Sequence, residues 1–317
     1  MNETRDGFNV PGGGKGVWGG PDGGGGGESF KRFLTFPNKN EPHVLILQHI
    51  GDGITTLAII VNILGIFVIN SSCKKLSKLS NSKLLLMYMS LTIIAQSIFK
   101  FAMLYAKLPI TKKLYLFIFF AMFLILRRLS VIIMSIDQIS IIVLGVKYKT
   151  IMTKKVIFWM LSTTYIIGIE FVVLRIIFIK NFRCSRIVTS TNLFTVDAFF
   201  ILFAILTFAS LKRWNSNRSG ITKNARAKDA VIAILCILTT QTVLSIIPDI
   251  IGSTALFQGK NQAIWKSINH ICSGISALCD PLLYILVVKN HRQIAKKMIQ
   301  RRTLFLKNQN TVSPENS

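Results

Sequence analysis

Seven long apolar stretches constrain this chain more than any other feature. They lie at 43–70, 82–105, 114–142, 155–178, 190–211, 228–252 and 263–288. A helix needs about 20 apolar residues to cross a hydrocarbon core roughly 30 Å thick, because no backbone group facing lipid can go unpaired there. Every stretch meets that length. The runs are continuous and rich in Leu, Ile and Phe, without the alternating polar face of barrel strands. An all-α membrane protein is expected, a seven-transmembrane helix bundle. Composition agrees, since 51% apolar residues and a mean hydropathy of +0.51 leave too little polar surface for a soluble domain.

A net charge of +25 could indicate nucleic acid, but such binders gather their basic residues on one soluble face. Here the charges sit between the apolar stretches. Lys74, Lys75, Lys78 and Lys83, then Lys147, Lys149, Lys154 and Lys155, then Lys212, Arg213, Arg218, Lys223 and Arg226 load the first, third and fifth connections. The tail adds Lys289, Arg292, Lys296, Lys297, Arg301, Arg302 and Lys307. By the positive-inside rule these segments are cytoplasmic, which puts the N-terminus outside the plasma membrane and the C-terminus in the cytoplasm. The basic rim is expected to attract anionic membrane lipid; nucleic acid is not an expected partner.

Residues 1–42 carry glycine runs, proline and charge, with no apolar core of a cleavable signal peptide, and read as a disordered extracellular tail. Asn2, in Asn2-Glu3-Thr4, is the glycosylation candidate there, although so short a sequon recurs by chance. The bundle spans 43–288. Residues 289–303 form an expected amphipathic eighth helix on the cytoplasmic surface, with Ile294, Met298 and Ile299 on one side and lysines on the other, and 304–317 a cytoplasmic tail. Of the five cysteines, Cys184 falls in an expected external loop, Cys73 is cytoplasmic, and Cys236, Cys272 and Cys279 read as small buried apolar residues. No Ser/His/Asp order, metal-spaced His/Cys group or phosphate loop is present, so no catalytic residue, metal or cofactor is expected.

From the third stretch onward several motifs fall at consistent positions. Asp137-Gln138-Ile139, followed by Lys147-Tyr148, stands at the end of the third stretch; Asp280-Pro281-Leu282-Leu283-Tyr284 closes the seventh; His291-Arg292 follows it. Asn62 in the first, Trp159 in the fourth and Pro248 in the sixth are further markers. In this pattern, from about Val44 to Lys297, the chain resembles the rhodopsin-like G protein-coupled receptors. Independently of any family, Pro248 and Pro281 each remove a helical hydrogen bond and bend their helices, giving joints, and Tyr284 offers a hydroxyl that can exchange partners. The resemblance implies a switch built on Asp137, Gln138, Tyr148, Pro248, Asp280, Pro281 and Tyr284, and a heterotrimeric G protein as cytoplasmic partner.

The departures are as informative. Gln138 stands where the family has an arginine, which removes the charge that relatives use for coupling and leaves Asp137 without that partner. Ile246 replaces a tryptophan, Phe200 a proline, Phe208 a tyrosine, and Lys113 the cysteine that would tie Cys184 to the third helix. Ile93 replaces the aspartate of the family's sodium site, and Arg127 its serine. Two adjacent arginines, Arg127 and Arg128, within a membrane span are costly and call for partners. The alignment implies that Arg127 fills the place of sodium, pairing with Asp280 and reaching Asn62; the alternative is that both arginines snorkel or sit in a water pocket. Arg128, turned about 100° away, faces another neighbour.

The leading functional expectation is a receptor for an unknown extracellular ligand. Its pocket is expected among Lys100, Asp197, Asp249 and His270, with Phe120 where the family's amine receptors carry an aspartate. Two acids point to a cationic ligand; equally open is that Asp197 pairs locally and Asp249 bonds backbone freed by Pro248. The alternatives are a receptor-shaped binder that does not signal, and a transporter using intramembrane charge, which the absence of an internal repeat disfavours.

Overall fold

A computed structural model describes residues 42–71, 80–178, 182–216, 225–255, 262–289, 291–297 and 300. Among them are seven helices long and apolar enough to cross a membrane: Pro42–Ser71, Asn81–Tyr105, Lys112–Leu144, Lys154–Ile177, Thr191–Arg213, Asp229–Ile251 and Ile264–Val287. The chain is a helical, multi-pass membrane protein. Asn2 with the rest of 1–41, Cys73, Met298, Ile299 and the tail 304–317 lie outside the described residues. Residues 291–297 are helical.

Helix and span are not the same length. The fifth helix runs Phe182–Ser216, well beyond its apolar stretch, so Arg183, Cys184 and Arg186 stand on helix rather than in the expected loop. Apolarity sets how much of a helix lipid can hold, while the polar residues 182–190 contain no glycine or proline to end it. The third helix, Ile110–Leu144, starts behind Pro109 and stops at Gly145, whose φ of 52° favours glycine. A short 3-10 turn, Gly145–Lys147, and one helical turn, Tyr148–Ile151, lead to the fourth helix, Lys154–Ile177, where Thr153 Oγ1 accepts from the amide of Val156 at 3.4 Å.

The sixth helix changes pitch. Ala225–Gln241 is α-helical, Thr242–Ile246 is a π-helical turn, and Ile247–Ala255 is α-helical again. Pro248 has no amide hydrogen and its ring crowds the carbonyl one turn back, and the wider turn directly before it relieves that crowding. The seventh helix, Gln262–Val287, carries Pro281 inside it.

Polarity is distributed inside out. Phe67, Ile98, Phe158, Ile166, Phe208 and Leu286 face outward, as suits a lipid solvent, whereas Asn62, Arg127, Arg128, Ser130, Asp137 and Asp280 are buried. Trp159 is 63% exposed and turned away from the bundle, so it adds nothing to the interior that its place as a family marker implies. The third span packs against the second, fourth, fifth and sixth, which makes it the axis on which polar groups from several helices converge. First and seventh spans lie close, Gly51 against His270 and Gly274 against Ile54 and Thr55.

Candidate functional site

Polar groups gather at several depths along the third span. In the middle layer Arg127 Nε and Nη2 donate to Asp280 Oδ2 at 3.0 and 2.6 Å, and Nη2 donates to Ser276 Oγ at 2.7 Å. Gln241 Nε2, from the sixth span, reaches the same carboxylate oxygen at 2.8 Å. Asn62 takes no part in this pair: its Nδ2 donates to the carbonyls of Ala58 and Ala277 at 2.8 and 3.1 Å. The expected bridge from Arg127 to Asn62 is thereby corrected. The Asn62 Nδ2 group fastens the first span to seventh-span backbone while its Oδ1 meets no partner among the described residues, and Arg127 instead reaches Ser276, one helical turn before Asp280.

The adjacent layer belongs to Arg128. Its Nη1 meets Asp197 Oδ1 at 2.6 Å and its Nη2 meets Asp249 Oδ2 at 2.6 Å, with Ser245 Oγ at 3.3 Å. Asn269 Nδ2 donates to Asp249 Oδ1 at 2.8 Å. Asp197 therefore does not pair locally, and the Asp249 carboxylate meets Arg128 and Asn269, because the guanidinium between the two acids offers charge as well as donors. One cation faces two carboxylates. Asp197's side chain is 9% exposed and Asp249's 35%, which makes Asp249 the reachable member.

Toward the end of the bundle bearing Tyr105, His270 Nε2 lies 2.8 Å from Asp52 Oδ1, and Tyr105 donates its hydroxyl to Asp52 Oδ2. Lys100 Nζ lies 6.0 Å from the centroid of the Phe120 ring. The five residues expected to form one ligand pocket thus fall into three groups: Asp197 with Asp249, Lys100 with Phe120, and His270 with Asp52. Lys100 also lines a cavity of about 10 Å³, far below the several hundred Å³ of a small-molecule pocket.

At the opposite end Asp137 is the hub. Tyr148 donates its hydroxyl to Oδ1 at 2.5 Å, and Ser82 Oγ and Gln138 Nε2 donate to Oδ2 at 3.2 and 3.1 Å. Gln138 Nε2 also reaches Ser82 Oγ at 3.1 Å. Asn81 Nδ2 holds the Tyr148 oxygen at 3.1 Å and the carbonyl of Met152 at 2.8 Å. Asp137 is thus well partnered without an arginine. Burial, then Asp137's carboxylate, push the Tyr148 phenol above its usual value, so it stays a donor. Tyr284 is buried with its ring 5.4 Å from that of His291, and burial, aided by Lys83, lowers His291 to about 4, leaving it neutral.

Sequence reasoning missed Gln241, Ser276, Asp52 and Asn269, and also Asn81 and Ser82 at the Asp137 hub. Only Asp52 carried a signal, as an acid inside an apolar stretch. No protein-family model matches the chain, and no curated protein matches it.

Proposed function

We propose that the chain is a receptor of the rhodopsin-like kind, with its N-terminus outside the plasma membrane, that passes the binding of an extracellular ligand to a cytoplasmic partner. The observation that carries this reading is the double tie on neighbouring residues of one helix: Arg127 to the seventh span and Arg128 to the fifth and sixth. A cationic ligand group arriving at half-exposed Asp249 competes directly with Arg128. Losing that bond frees the sixth span to move about its π turn and Pro248, while the Asp137–Tyr148–Ser82 cluster is the latch that yields at the far end. In energetic terms the ligand shifts a population between two bundle arrangements by its preference for one of them.

A heterotrimeric G protein is the partner this reading implies. Gln138, folded onto Asp137 and Ser82 rather than presenting a charge, favours the second reading, a receptor-shaped binder that does not signal. Screening second messengers in cells expressing wild type, Gln138→Arg and Asp249→Asn separates the two. The receptor reading expects Gln138→Arg to raise basal signal in at least one readout and Asp249→Asn to change it again. Silence of all three proteins, each shown to be at the surface, overturns coupling and leaves the binder.

A further inference from the structure

Thr55, Gln96, Ser97, Lys100, Arg127 and Ser273 line the small cavity between the first, second, third and seventh spans. Two of its walls are cations and none is a carboxylate. At about 10 Å³ it has room for one water molecule, and a larger monatomic ion fits where the long Lys100 and Gln96 side chains give way.

Its donors are unspent. Lys100 makes no hydrogen bond or ion pair with the described residues; its ammonium lies 6.0 Å from the centroid of the Phe120 ring, and the residue lines the cavity. Every acid nearby is already engaged, Asp52 by His270 and Tyr105, Asp249 by Arg128 and Asn269, Asp280 by Arg127 and Gln241. Arg127 uses Nε and Nη2 on Asp280 and Ser276, which leaves Nη1. Gln96 and Ser97 are each 5% exposed, line the cavity and have no bonded partner among the described residues. The lining of this one small space therefore includes an ammonium, a guanidinium, an amide and the hydroxyl-bearing Ser97 and Ser273.

A cation there is repelled by Lys100 and Arg127. A lone water fills the volume but brings no charge to the two cations on its walls, and Asp52 and Asp249 attract Lys100 only from beyond contact. An anion does both. We propose that this cavity binds a single halide ion, chloride in physiological media, held by Lys100, Gln96, Ser97 and the free edge of Arg127. The chain brings its own fixed cations to this space and takes the small mobile ion as their ligand.

The test is thermal unfolding of the purified full-length protein in detergent, in sodium chloride, potassium chloride, sodium bromide and sodium gluconate at equal ionic strength. It reads ion binding directly and does not depend on whether the protein signals. The midpoint is expected to rise with chloride or bromide, to saturate, and to be the same for sodium and potassium. Lys100→Met should unfold at a midpoint that no longer depends on halide. Ser97→Ala, a change small enough to preserve the fold, should need a several-fold higher chloride concentration for half the effect, and this variant carries the test if Lys100→Met does not express. Equal midpoints in chloride and gluconate, a response that follows sodium, or a chloride response untouched by Ser97→Ala overturns the proposal.

Discussion

Arg127 and Arg128 differ by one position and about 100° of helical rotation, and that rotation alone sends one to the seventh span and the other to the fifth and sixth. A guanidinium suits such places because its charge does not titrate and its planar donors can engage two acceptors at once. Taking either pair out of water is costly, so neither need be a net stabiliser, but breaking one member leaves its partner buried and uncompensated at a cost of roughly 3–5 kcal/mol. Arg127→Met and Asp280→Asn are each expected to lower folded surface expression and the unfolding midpoint. The double variant should lose less than the sum of the two, and strict additivity in that cycle would refute the coupling. The pairing of Arg127 with Asp280 was legible in the sequence because a charged residue in a span must find a partner and the motif positions placed both at one depth. The contributions of Gln241 and Ser276 were not. Amides and hydroxyls are tolerated on many faces of a membrane helix, and linear order does not reveal which face meets a neighbour.

Helices place these groups through close approach as much as through charge. Gly51 faces His270 so tightly that an added Cβ would lie 2.4 Å from the ring, and the ring cannot simply swing aside because Asp52 holds it. Gly51→Ala is expected to push the first and seventh spans apart, loosen the His270–Asp52 bond and cost about 1–3 kcal/mol, the usual penalty of overpacking. Gly53, two residues on, has nothing within 4 Å of its would-be Cβ. Gly53→Ala should be neutral or should stabilise by about 0.5–1 kcal/mol through helix propensity. Unfolding midpoints of the two variants, side by side, check the pair, and equal effects would mean that the helices do not meet at Gly51. The spans themselves could be read from the sequence because apolar length leaves a membrane chain little choice. The reach of the fifth helix back to Phe182 could not, since hydropathy marks where lipid begins and is blind to helix that continues in polar sequence. Pro248 announced a bend in the sixth helix, but whether a kink is met by an open hydrogen bond or by a π turn depends on packing around Ser245 and Ile246.

Across the whole molecule, the basic residues crowd the connections after the odd-numbered spans and the segment after the seventh, an asymmetry that under the positive-inside rule predicts a cytoplasmic face. A tag after Met1 is expected to be reachable by antibody on intact cells and one after Ser317 only after permeabilisation; the opposite pattern would invert the bundle. The interior charges add a constraint in time. The ribosome makes Arg127 153 residues before Asp280, and Arg128 69 and 121 residues before Asp197 and Asp249. At roughly 5–20 residues per second the third span waits about 8–30 s for its last acid. Through that interval it holds two cations that each cost about 2.5–3.5 kcal/mol at the centre of a bilayer. Release of this helix from the insertion machinery into lipid is therefore expected to follow arrival of the C-terminal half. A nascent chain stopped short of Asp280 should remain within cross-linking distance of that machinery, marked for removal, so that quality control reads completion of the bundle as the neutralisation of two arginines.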